Sequence, residues 1–157
     1  MQPAWQLKRC ADEASLMIAR LLIAGCLMAL CVIIHAGGVT WALGRVRRHT
    51  EFQGFWAGTW LFILVAGWIV LLRLFEIGVW AGFYAWRGAM PAMQTALYFS
   101  AVTYTTTGYG DLVLPPEWRL VGGVEALTGI LMCGWSTAFF LTVGNRLAES
   151  RAGAANQ

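Results

Sequence analysis

One run of seven residues stands out for the chemistry it could do: Thr105-Thr106-Thr107-Gly108-Tyr109-Gly110-Asp111. Three hydroxyls come first, then two glycines spaced two apart, then a carboxylate. Gly108 and Gly110 can take φ > 0 without a Cβ clash. A strand that alternates its backbone conformation in this way can turn main-chain oxygens toward one axis. Oxygens so placed can replace the hydration shell of a bare cation. Elsewhere, ionisable residues are set singly into apolar sequence: His35, Arg73 with Glu76, and Glu125. Arg73 and Glu76 lie three apart, on one face of a helix.

The elements that must position these residues are apolar and long. Of 157 residues, 59% are apolar and 12% are charged. That charged share is about half of the roughly 25% usual in soluble domains. So little polar surface excludes a soluble enzyme, a nucleic-acid-binding protein and a disordered linker, and points to a membrane protein. The net charge of +3 is too small to name a partner. Leu21 to Ile34 is unbroken apolar sequence, and the pattern runs on to Leu43 with His35 as its polar interruption. Gly54 to Leu72 carries no charge and resumes as Ile77 to Trp86. Ala126 to Gly144 is again uncharged. A helix of about 20 residues crosses a bilayer core, so each stretch can span. Trp41, Trp56, Trp60, Trp80, Trp86 and Trp118 gather near the connections, as interfacial rings do. The first connection holds Arg45, Arg47, Arg48 and His49 against Glu51, and short basic loops stay in the cytoplasm.

Between the second and third spans lies a shorter, partly polar segment, 91–105. Pro91 suits the first position of a helix, where its missing N–H costs nothing. Such a segment cannot cross, so it reads as re-entrant, and extended backbone after it must line water or be covered by protein. Cys10, Cys26, Cys31 and Cys133 form no CxxC pair and read as small hydrophobes. No phosphate loop, HExxH or nucleophile–base arrangement is present, so nothing points to catalysis, to nucleic acid or to a small-molecule substrate. No helix carries Arg at every third position, which excludes a voltage sensor.

Placed after that short helix and between two spans, ALYFSAVTYTTTGYGD (96–111) resembles the potassium-channel pore family. The match is to its TVGYG selectivity filter, with Thr107 where Val or Ile is usual. The resemblance covers about Phe55 to Asn145. It implies K+ as the permeant ion and a homotetramer around the pore. It also implies that carbonyls of Thr106, Thr107, Gly108 and Tyr109 line the ion sites, with Gly110 completing the filter. The Thr106 hydroxyl would add the innermost ring, and Tyr109 would point away from the axis. Thr105 and Asp111 would support the filter, Asp111 at the outer mouth. In the best-known bacterial members a pore-helix Glu partners this Asp; here Val102 holds that place, and Tyr98, whose family counterpart is often a hydrogen-bonding Trp, becomes the candidate partner. Gly129 matches a flexible glycine of the inner helix, a candidate gate hinge, or it is a packing glycine. Thr137, Phe140 and Thr142 are candidate cavity or gate residues.

The expected architecture is an all-α membrane protein with three transmembrane helices, a re-entrant pore helix and an extended selectivity filter. Its layout is an N-terminal segment 1–14, an extra transmembrane helix 15–43, a basic cytoplasmic loop 44–53, a pore domain 54–146 and a cytoplasmic tail 147–157. Within the pore domain, the outer helix is 54–86, the pore helix 91–105, the filter 106–111 and the inner helix 120–146. The expected location is the cell's inner (plasma) membrane, in contact with lipid, with the C-terminus cytoplasmic. Crossing by the first helix then leaves the N-terminus outside, against the preference of Lys8 and Arg9; a cleaved signal peptide fits this segment poorly. In the membrane, Arg73, Glu76 and Glu125 form a candidate charge network, with Arg73–Glu125 as an interhelical bridge. They read either as a structural lock or as a pH sensor acting on the filter. His35 reads as a packing hydrogen-bonder. Two rivals to a potassium channel remain at this stage: a non-conducting assembly or regulatory subunit, and a weakly selective cation channel.

Overall fold

Apolar sequence without proline, in a medium with no water for the backbone, has to be helical. A computed structural model describes residues 4–48 and 55–155, and it is all-helical. Helix α1 runs Ala4–Arg48, α2 Phe55–Trp86, α3 Met93–Tyr104 and α4 Arg119–Ala155, the last entered through a 3₁₀ turn at Pro116–Trp118. The three long helices contain apolar spans at Ala11–Val46, Trp56–Trp86 and Pro116–Arg146. The chain is therefore a multi-pass membrane protein. With 12 residues, α3 reaches about 18 Å and cannot cross.

α2 keeps the expected 54–86 to within a residue, but the ends of α1 and α4 differ from expectation because hydropathy marks lipid, not helix. α1 extends beyond 15–43 in both directions and takes in most of the separate segment expected at 1–14. α4 passes 146 and continues to Ala155, where Leu, Ala, Glu and Arg, all strong helix formers, outnumber Ser150 and Gly153. Of the basic loop, residues up to Arg48 are helical, and His49 and Glu51 lie outside the described residues. Pro91 does not open α3. Ala92 is its N-cap with extended backbone, and the first helical bond runs from Ala96 N–H to Ala92 O at 3.0 Å.

α2 stops cleanly at a Schellman turn. Ala89 N–H donates to Tyr84 O (2.9 Å) and Gly88 N–H to Ala85 O (3.2 Å), with Gly88 at φ +67°. Only glycine takes that conformation without cost, and it ends the helix where α3 must turn back. α3 then packs between α2 and α4, burying Ala96, Phe99, Ser100 and Tyr104. Around it lies one apolar cluster containing Trp80, Tyr84, Leu114, Trp118, Val121 and Met132. A second cluster, with Val39, Leu61, Val65, Ile69, Leu72 and Val143, joins α1, α2 and α4 toward the other end. α1 packs against α2 and α4 alike, and it places Cys31 and His35 fully inside.

Candidate functional site

α3 ends immediately before the seven-residue run. Thr105 is its C-cap, with φ −80° and ψ 0°. The chain then leaves the helix through bonds that hold it to the last turn. Thr106 N–H donates to Thr103 O (2.9 Å), and Thr107 and Gly108 N–H both donate to Val102 O (3.0 and 3.2 Å). The Thr105 hydroxyl donates to Ala101 O at 2.7 Å and lies 2.9 Å from the Thr107 hydroxyl.

Positive φ recurs at every second residue: Thr106 at 60°, Gly108 at 57° and Gly110 at 78°. The two glycines were legible from sequence; Thr106 was not. A β-branched residue in this region costs roughly 1–2 kcal/mol and persists only where its surroundings hold it. Thr105 to Asp111 are all exposed in the protomer, and Tyr109 is 71% exposed. Polar backbone at membrane depth must line water or be covered by another chain.

Asp111 accepts a hydrogen bond from the Tyr98 hydroxyl at 2.7 Å, the pairing that Val102 at the usual acidic position pointed to. This bond to the carboxylate pushes the Tyr98 phenol above its ordinary pKa. Gly129 is buried against the end of α3, where a Cβ would collide with the Tyr104 carbonyl oxygen. Close approach of two backbones is thus a sufficient reason for glycine here. Beside it opens a pocket of about 510 Å³, lined by Arg73, Tyr104, Thr105, Thr106, Gly129 and Thr137 among others.

The intramembrane charges assemble only in part as expected: Arg73 and Glu76 face each other, but Glu125 stands apart. There is no Arg73–Glu125 bridge. Arg73 donates instead to Gly129 O and to the Ser136 hydroxyl, both at 3.2 Å, and lies 3.8 Å from Glu76. Glu125 is fully buried and accepts from the Tyr84 hydroxyl at 2.8 Å. Two carboxylates therefore sit in two separate niches. Glu76 meets His35 Nδ1 at 2.9 Å and accepts from the Tyr104 hydroxyl at 2.5 Å. The second nitrogen of His35 lies 3.3 Å from the Ser136 hydroxyl. Tyr84, Tyr104 and Ser136 were missed as partners. Tyr84 and Ser136 carried the same signal as His35, a polar atom set in apolar sequence, whereas Tyr104 lies among threonines and carried none.

A family model described as an ion channel matches residues 58–146, more than half of the chain. No curated protein and no solved structure matches it. The matched region begins in α2, takes in α3 and the exposed run, and ends within α4. The chain, a multi-pass membrane protein and not an enzyme, belongs to this ion channel family.

Proposed function

We propose that the chain is one subunit of a homotetrameric, potassium-selective pore, with Thr106, Thr107, Gly108, Tyr109 and Gly110 as its filter. The observation that carries this reading is positive φ at alternate residues 106, 108 and 110, on an exposed strand between two spans. Alternation of that kind suits carbonyls that converge on one axis and replace a potassium ion's water. One protomer offers one strand, and four strands around the axis make a closed ring. The C-terminal end of α3 abuts the pocket beneath the strand, where its partial negative charge favours a cation at mid-membrane. No acidic side chain is then needed along Ala126 to Gly144.

A filter of this kind has its Thr end toward the cytoplasm and its GYGD end outside. The guanidinium of Arg20 lies 5.3 Å from the Trp118 ring, so the N-terminal half of α1 shares an end with the entry to α4. With the filter oriented so, the N-terminal half of α1 would lie toward the outside and Arg45 to Arg48 toward the cytoplasm, as short basic loops prefer. The plasma membrane, with lipid around the α1 and α2 faces, is the setting this implies.

Flux into liposomes tests the reading. Purified tetramers are expected to carry potassium rapidly and sodium little. Equal flux of the two ions would make it a weakly selective cation channel, and no flux would make it a non-conducting subunit.

A further inference from the structure

We propose that α1 positions the filter, through a buried chain His35–Glu76–Tyr104 that ends one residue before its supporting Thr105. This rests on the pore reading above. Three helices meet at one carboxylate. Glu76 of α2 is fully buried; one oxygen is 2.9 Å from His35 Nδ1 of α1, and the other accepts from the Tyr104 hydroxyl of α3. Arg73, on the same helix as Glu76, stands 3.8 Å away, with its guanidinium 5.8 Å from the centre of the Tyr104 ring. From α4, Ser136 faces the second nitrogen of His35 at 3.3 Å. His35 is fully buried, with the Trp135 ring beside it at 5.7 Å.

Tyr104 is held at both ends. Its hydroxyl is bound to Glu76, and its carbonyl is pressed against Gly129. Two residues later the chain enters the strained φ of Thr106. Strain of that kind survives only where neighbours fix the backbone on each side. Glu76 can serve Tyr104 only while it is itself oriented. His35 supplies that orientation by holding one carboxylate oxygen, Oε1, while Tyr104 and Arg73 both face the other, Oε2. A buried carboxylate keeps a position only when its remaining lone pairs are satisfied. α1 lies wholly outside the residues matched by the family, so the unit formed by α2, α3 and α4 receives this constraint from an added helix.

Reversal potentials of reconstituted channels, with size-exclusion of the same samples, test the proposal. His35→Phe keeps the bulk and removes the bonds; Tyr104→Phe removes only the hydroxyl; His35→Asn returns a donor near the Nδ1 position. His35→Phe and Tyr104→Phe are each expected to raise the sodium-to-potassium permeability ratio about threefold to tenfold, the scale of one net hydrogen bond. Both should remain tetrameric. The double variant should be no worse than the worse single, because both cut one chain, and His35→Asn should return toward wild type. A wild-type ratio in tetrameric His35→Phe, or effects that multiply in the double variant, would overturn the proposal while leaving the pore intact. Should His35→Phe not assemble, a wild-type ratio in Tyr104→Phe overturns it alone. A wild-type protein that passes no potassium would remove the pore reading itself, and this inference with it.

Discussion

At the scale of single residues, two glycines do opposite work. Gly129 sits where α4 touches the main chain of α3, so an added methyl meets backbone, which cannot step aside. Gly129→Ala is expected to cost about 1–3 kcal/mol, the range for overpacking, and to lower the melting temperature of the detergent-solubilised protein. Gly67 is exposed on α2 with nothing near its missing Cβ. Gly67→Ala should leave that temperature unchanged or raise it, because alanine is the better helix former by about 1 kcal/mol. An equal loss in both variants would contradict the packing role of Gly129. Tyr98→Phe deletes the donor that Asp111 accepts from. In the proposed pore, its expected effect is faster decay of potassium current at low external potassium, with assembly intact; unchanged decay would show that this bond does not steady the outer end of the filter. The Tyr98–Asp111 pair was legible because the residues flank one short motif and the usual acidic partner is absent at Val102. The His35–Glu76–Tyr104 chain was not. No spacing rule links residues 41 apart on different helices, and sequence shows only that each polar group needs some partner.

At the scale of elements, three spans and a short helix between them could be read from hydropathy and length. The ends could not. A lipid core sets how many apolar residues a span needs, while caps and propensity set where the helix stops, which is why α1 and α4 outrun their apolar stretches. The Schellman turn at Gly88 is the exception, since a glycine just past an aromatic-rich helix is a stop signal in its own right. How α1 docks was also hidden. Lipid tails are as apolar as Leu, so helices associate through close packing and polar contacts rather than burial from water. α1 meets α2 through Gly38, over which the Leu72 side chain lies, and its carbonyl accepts from Trp68 Nε1 at 3.0 Å. Gly38→Val should force Leu72 aside and loosen α1, at a cost of about 1–3 kcal/mol. The expected readout is faster hydrogen exchange in α1 than in α4. Uniform protection in both helices would contradict a local docking contact.

At the scale of the whole molecule, the single chain leaves a polar segment uncovered. Its most polar strand, 105–111, is exposed, although backbone at that depth needs water or protein around it. The exposed Leu64, Val70, Leu71, Leu74 and Phe75 of α2 suit lipid. The strand does not, and the proposed tetramer would resolve the mismatch by closing a ring of copies around it. Ions held in such a ring stabilise it by mass action. Potassium should therefore raise the temperature at which tetramers fall apart, relative to sodium at equal ionic strength; identical temperatures would argue against ion sites shared between chains. The most direct measurement is anomalous diffraction from crystals of the tetramer grown with rubidium in place of potassium. The proposed pore predicts a row of anomalous peaks on the fourfold axis, between the Thr106 and Gly110 levels, ringed by main-chain oxygens. Strands that lie apart from any common axis, or an axis with no peaks, would contradict it.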